Sequence, residues 1–211
     1  MPAKTATRER IILAAVELFY SQGYEATGMA QILQKAKANS GSFYFFFKSK
    51  EHLLESVLDW YLANLDPILL RPVYAATQDP VERIFALLDG YRAKILATNF
   101  SFSCPIGRLA LEIGLERQNI HDKIAANFNA WTAAVRDCLR DAEHRFLKGT
   151  NFDELSQFVL TVMEGGVMQA RAHRSVSPFD NSVRQLRQHF DRLLIPAAEN
   201  KQSIQSLGEH P

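Results

Sequence analysis

The stretch Asn39–Lys50, N-S-G-S-F-Y-F-F-F-K-S-K, decides how this chain folds. Small polar residues (Asn39, Ser40, Gly41, Ser42) precede an unbroken aromatic run from Phe43 to Phe47, and lysines at 48 and 50 close it. So dense a block of aromatics belongs in a core, whereas the residues ahead of it open helices. The Asn39 side-chain oxygen is placed to accept from the unpaired N–H groups of a first helical turn. The stretch therefore predicts a short helix, rooted by aromatics and tipped with hydrogen-bonding groups. Such a helix suits duplex DNA, where the tip reaches base edges and phosphates while the root is held by a scaffold.

The residues just upstream agree. From Thr27 the chain reads T-G-M-A-Q-I-L-Q-K-A, with Met29, Ile32, Leu33 and Ala36 at helical spacing and Thr27 in place to cap. Two short helices joined by a turn of about three residues make a helix-turn-helix. The alternative is an ordinary helical hairpin within an all-α core.

The joined spacing Thr27-x-x-x-x-Ile32, Ala36-x-x-x-Ser40-Gly41-Ser42-Phe43-Tyr44-x-x-Phe47-x-Ser49-Lys50-Glu51-x-Leu53 resembles the DNA-binding domain of the TetR family of bacterial transcriptional regulators. The resemblance spans residues 7–55. One departure concerns the turn, where Lys37 stands in place of the family's usual glycine and Ala38-Asn39 in place of its frequent Val-Ser. If the turn needs a left-handed residue, a lysine there costs on the order of 1 kcal/mol. Lys37 would offer a phosphate contact in exchange.

The resemblance implies an all-α fold with a three-helix DNA-binding domain at residues 1–50. A helical ligand-binding and dimerisation domain follows at 51–195, and a polar, disordered tail at 196–211. It implies a homodimeric repressor, released from a palindromic double-stranded operator by a small-molecule inducer. Thr27, Ser40, Ser42, Tyr44 and Lys50 match family positions that touch DNA. We assign Thr27, Tyr44 and Lys50 to phosphates, and Asn39, Ser40, Gly41 and Ser42 to the groove floor. Lys37 and Lys48 are flanking cations.

Charge placement is compatible with this. Residues 1–50 hold seven basic and three acidic side chains, leaving 17 basic and 20 acidic for the rest of the chain. A basic end on an otherwise acidic chain suits one polyanion-binding end, although such an excess is often only a solvated face. Residues 1–6, with Lys4 and then Arg8, are predicted as a mobile arm. A helix follows from Thr7 to Gln22, stopped by Gly23. Ser49 is predicted to cap a long helix that leaves the DNA-binding unit without a flexible linker and ends near 66–70, where Pro67 and Pro72 limit it. Beyond Asp79-Pro80, helices are predicted near 80–98, 102–116, 120–147, 152–173 and 180–195, with no alternating strand pattern.

Two segments of the helical region, Ser103–Glu112 and Glu164–Arg171, resemble a branch of the family with a cysteine at a helix start. Some regulators of that branch respond to electrophilic or bulky aromatic compounds. Cys104 precedes Pro105 at a predicted helix N-terminus, where the dipole favours a thiolate. A thiol sensor of electrophiles or oxidants is therefore one reading, and a small buried hydrophobe the other. Arg108 is placed either for an anionic ligand or for Glu112, four residues on. Phe100, Phe102, Phe128, Trp131, Phe158 and Met163 complete the set expected around an apolar cavity, with a filled core as the competing arrangement. Gly165-Gly166 in mid-helix costs about 1 kcal/mol per glycine and signals a close helix approach. With Gln169, Ala170, Leu186 and Phe190 it is expected in a four-helix dimer interface. Packing within one subunit is the alternative.

Other classes find little support. No GxGxxG, Walker loop, HExxH or GxSxG occurs, so no enzyme is predicted. The six histidines show no metal-ligand spacing with each other or with cysteine, and no cofactor is expected. No apolar run of membrane-spanning length is present, which points to the cytoplasm and to no membrane partner. A helical interaction module without DNA binding would leave the polar tip and its lysines without a task.

Overall fold

The computed structural model describes residues 2–196, and the predicted tail lies outside them but for Pro196. The elements are α1 (Pro2–Gln22), α2 (Met29–Ala36), α3 (Ser40–Phe46), α4 (Lys50–Asn64), a π-turn (Leu65–Leu70) and α5 (Arg71–Ala76). Then come α6 (Pro80–Ala97), α7 (Pro105–Glu112), α8 (Gln118–Asp141), a 3-10 turn (Glu143–Arg145), α9 (Phe152–His173) and α10 (Ser177–Leu193). Among the described residues there is no strand, only an isolated bridge between Phe146 and Leu194.

Two compact units divide these elements. The first takes in the chain up to Leu69 together with Ser103–Trp131, and the second takes Leu70–Phe102 with the chain from Thr132 onward. In the first unit the apolar faces of α1, α2 and α4 meet α3 and α7. Ile11, Ala15, Phe19, Ile32, Phe43, Phe47, Leu54, Leu58, Leu109 and Ile120 all belong to this one core. Each large side chain so buried contributes about 1.5–3 kcal/mol. In the second unit α9 and α10 form a helical hairpin against α6. Phe85 and Phe190 meet edge to face with ring centroids 5.2 Å apart, and Phe146 stands 6.1 Å from Phe190. The Arg92–Asp180 and Arg187–Glu82 ion pairs, at 2.8 and 2.6 Å, tie α6 to α10 from outside that core.

Local chemistry explains where helix bounds depart from expectation. α1 begins at Pro2 and not at Thr7, which suits a proline in the first turn. α7 begins at Pro105, because the residue before a proline avoids helical backbone and Cys104 is extended at ψ 124°. The helix predicted over 120–147 closes at Asp141 and passes into the 3-10 turn. At Pro67 the helical path widens into the π-turn, an adjustment that accommodates a residue with no N–H for the regular ladder.

Candidate nucleic-acid interface

The helix-turn-helix is built as its residue types require. Gly28 is the N-cap of α2, and its N–H donates to Gln31 Oε1 at 2.8 Å. This corrects the capping role assigned to Thr27. The Thr27 hydroxyl is turned inward to donate to the Gly23 carbonyl, and the residue is buried. At the other end of α2, Lys37 adopts the left-handed conformation (φ 50°, ψ 48°), and the N–H of Ala38 reaches back to the Leu33 carbonyl at 3.0 Å. The turn thus has the geometry that usually selects glycine. The conformational cost anticipated for lysine is real, about 1 kcal/mol.

Asn39 then opens α3, its Oδ1 accepting from Ser42 N at 2.8 Å. Phe43 and Phe47 are each 1% exposed, with centroids 5.5 Å apart. Arg8 lies over the Phe47 ring, and Arg10 Nε donates to the Ala36 carbonyl at 3.1 Å, closing the C-terminus of α2. With its root held on both sides, α3 turns Asn39, Ser40, Gly41 and Tyr44 outward, and Ser42 lies half-buried. Tyr44 is 66% exposed and meets Phe43 edge to face at 5.2 Å. Ser49 caps α4 through His52 N at 3.1 Å, as its position before Lys50 predicts.

The lysines differ in their commitments. Lys37 and Lys48 are exposed, with no ion pair among the described residues. Lys35 instead pairs with Glu17. The Lys50 ammonium sits 4.2 Å above the Tyr24 ring, and burial lowers its pKa below the ordinary lysine value. At the tip, then, Lys37 and Lys48 are the available cations. Phe45 is 65% exposed beside Tyr44, although aromatic density alone suggests that it is part of the root. Its helical phase relative to Phe43 and Phe47 is the signal that separates it from them.

α7 is part of the same unit. Glu112 Oε2 accepts from Tyr24 N at 2.7 Å, Arg108 Nη1 donates to the Tyr20 carbonyl at 3.0 Å, and the two side chains pair at 2.6 Å. Gly23 between those backbone groups has φ 96°, and a Cβ there would stand 2.6 Å from both Arg108 Nη2 and Glu112 Oε1. Gly23 therefore does more than end α1, since it admits the ion pair. Arg108 takes the i,i+4 partner offered by the sequence.

The other residues expected around a ligand divide between the units. Cys104, Phe128 and Trp131 belong to the first, where Cys104 and Trp131 are buried and Phe128 packs against the core. Phe100, Phe102, Phe158 and Met163 belong to the second. There Phe102 stacks edge-on with Tyr91 at 5.9 Å, Met163 is buried, and Phe100 is half-buried with φ 64°. Phe158 is 45% exposed on α9 beside the His189 ring, so it lines an open surface groove with Val162, Gln185 and Gln188. A tight apolar crevice with no signal in the sequence lies among Tyr74, Arg83, Ile84 and Cys138, whose thiol donates to Tyr74 Oη at 3.7 Å. Burial pushes the Cys138 thiol's pKa up.

The residues expected at a dimer interface also separate. Gly166, Ala170, Leu186 and Phe190 are buried within the subunit. A Cβ on Gly166 would lie 2.8 Å from Phe179 Cδ2, so the helix that comes close here is α10 of the same chain. Packing within one subunit accounts for these four. Gln169 is exposed, and a Cβ on Gly165 would meet nothing within 4 Å. Among the described residues, no three His, Cys, Asp or Glu side chains cluster to hold a metal, and no helix is long and apolar enough to cross a membrane.

Known proteins share both the sequence pattern and the architecture. A family model for bacterial regulatory proteins of the tetR family matches residues 11–57, and one for the LmrA/YxaF-like transcriptional regulator C-terminal domain matches residues 80–185. An HTH-type transcriptional regulator of Mycobacterium tuberculosis, Rv0196, is 28% identical over 85% of this chain and 92% of its own length. The HTH-type transcriptional repressor DhaR of Mycobacterium sp. strain GP1 is 24% identical over 94% of this chain and 97% of its own. In fold, the regulatory protein TetR of Rhodobacter sphaeroides superposes with a TM-score of 0.75 at 19% identity, covering 89% of this chain and 98% of that one. A cysteine mutant of CifR, solved with 26-bp operator DNA, superposes at 0.67 with 24% identity, covering 82% and 94%. With a helix-turn-helix at its N-terminus and a matched regulator domain over half its length, the chain belongs to the TetR family of bacterial transcriptional regulators.

Proposed function

We propose that the protein is a homodimeric repressor that binds a palindromic operator through α3 and releases it when a small apolar or aromatic molecule binds its helical domain. The observation that carries this reading is the division of α3. Its aromatic root is buried, while its polar tip and the cations Lys37 and Lys48 stand exposed. A solvated face would need no such rooting. Residues 1–50 act as the reading domain, packed in one unit with α4 and α7, and ligand binding and dimerisation fall to the helices within 51–195. Lys37, Tyr44 and Lys48 take phosphates, and Ser40, Gly41 and Ser42 face the groove floor. Thr27 and Lys50 instead hold the segment between α1 and α2, Thr27 on the Gly23 carbonyl and Lys50 over the Tyr24 ring. The mate docks on the open face of the α9–α10 hairpin, which exposes Phe158, Met168, Gln169 and His189.

Sensing is non-covalent in this account. Cys104 is 8% exposed at the N-cap of α7, a poor position for attack on an electrophile from solvent. The test is binding of the full-length protein to its own upstream intergenic DNA and to random duplex, across a range of salt. Replacing Lys48 by alanine is expected to reduce the salt slope by about one while leaving sequence preference unchanged. An unchanged slope overturns the phosphate assignment, and equal affinity for both duplexes overturns the operator. In a screen for small molecules that release the DNA, Cys104→Ser is expected to retain the full response. Loss of that response would restore the thiol sensor.

A further inference from the structure

We infer that Phe45 reads the C5-methyl group of a thymine in the major groove, and so fixes one base of each operator half-site. This rests on the proposed DNA-binding role of α3.

Successive residues of an α-helix are turned by about 100°, so residues four apart share a stripe. Phe43 and Phe47 set the buried stripe of α3. The stripe most nearly opposite them holds Gly41 and Phe45, with Ser40 and Tyr44 on one flank and half-buried Ser42 on the other. Gly41 contributes no side chain, and a Cβ there would meet only Asn39 Oδ1, at 3.4 Å. Nothing on this stripe therefore projects ahead of the Phe45 ring. The ring is held edge-on to Phe46, with centroids 4.9 Å apart at 89°, and remains 65% exposed.

A phenyl ring has no donor or acceptor to offer a base edge. The one apolar group that B-DNA presents in the major groove is the thymine methyl, so an apolar side chain at the centre of a reading face selects T. The exposed cations Lys37 and Lys48, beside this stripe in sequence, suit a polyanionic occupant and no apolar protein surface.

The experiment first selects duplexes from a randomised pool with the full-length protein. Each thymine of the selected site is then replaced by deoxyuridine, which removes only the methyl, and affinity is measured for the wild type and for Phe45→Ala. At one thymine per half-site, the wild type is expected to lose about fourfold, the effect of one apolar carbon leaving a buried contact, and about fifteenfold when both half-sites are changed. Phe45→Ala should bind the thymine and deoxyuridine duplexes equally there, and match the wild type in its response at every other thymine. Circular dichroism and thermal melting of Phe45→Ala should match the wild type, since the ring is outside the core. If no deoxyuridine position separates the two proteins, the inference is overturned, including the case where Phe45→Ala weakens all duplexes alike through backbone contact. If selection enriches no sequence, the proposed DNA-binding role itself fails.

Discussion

Two tight turns, α2 to α3 and α9 to α10, are made from the same local cap and serve different purposes. Lys37 (φ 50°) and Arg174 (φ 48°) each close a helix in the left-handed conformation. In each, the next N–H reaches back to the carbonyl five residues earlier, Ala38 to Leu33 at 3.0 Å and Ser175 to Ala170 at 3.1 Å. Each turn carries a basic residue where glycine is the easier choice. After the first turn the chain shows its polar residues and buries only the aromatic root. After the second it buries Phe179, Leu186 and Phe190 against its own α9 and α6. Backbone geometry alone does not distinguish a reading turn from a packing turn. The side chains on the following helix do.

The largest effects should be common to both turns. Phe43→Ala and Phe190→Ala each empty a position no more than 1% exposed, and each is expected to cost about 3–5 kcal/mol in denaturant unfolding. A loss below 1 kcal/mol at either would show that the aromatic is not an anchor. The glycines should then separate the two turns. Gly166→Ala forces a Cβ to within 2.8 Å of Phe179 and is expected to lose about 1–3 kcal/mol. Gly41→Ala has room, and is expected to gain up to about 1 kcal/mol of helix propensity while weakening DNA binding. Equal stability changes at the two glycines would remove the contrast.

The caps offer a finer comparison. Lys37→Gly and Arg174→Gly should each relieve backbone strain and raise stability by about 1 kcal/mol. Only Lys37→Gly should also lower DNA affinity and its salt dependence. The smallest effect is expected at Asp79, the N-cap of α6, whose Oδ1 accepts from Val81 N and pairs with Arg145 at 2.8 Å. Burial pushes its carboxyl upward, but the hydrogen bonds from Arg145, Glu82 and Val81 outweigh this and hold the pKa below the usual aspartate value. A lowered folded value means the contribution is present above the unfolded pKa and is lost as pH falls through the folded one. Asp79→Asn keeps the cap and should flatten the decline in stability below about pH 4. An unchanged acid limb in urea melts would exclude Asp79 as a source.

The reading turn is legible in the sequence because its physics is local. Asn39 and Ser49 cap as their types dictate, and the aromatic run marks the root. Thr27 is ambiguous in the sequence, since threonine caps helices but also donates inward, and a packed Gly23 carbonyl decides which. In the second unit the periodicity of α9 gives its bounds but not its partner. Gly166 announces a close approach, and only the fold reveals that Phe179 is what approaches. The ligand set stayed illegible for a similar reason. Aromatics at helical spacing serve core, groove and cavity alike, and Phe158 and Met163, both on α9, end on opposite sides of that question. Arg108 and Glu112 show the limit most clearly, because their i,i+4 spacing reveals the pair but not its hold on Tyr20 and Tyr24.

The most direct measurement is sedimentation of the full-length protein with a duplex selected from a random pool, read together with the selected sequence. Two identical chains should bind each duplex, and the sequence should be an inverted repeat whose half-site centres lie about 10 bp, or a multiple of it, apart. A single chain per duplex, or a pool that remains random after selection, would contradict the account.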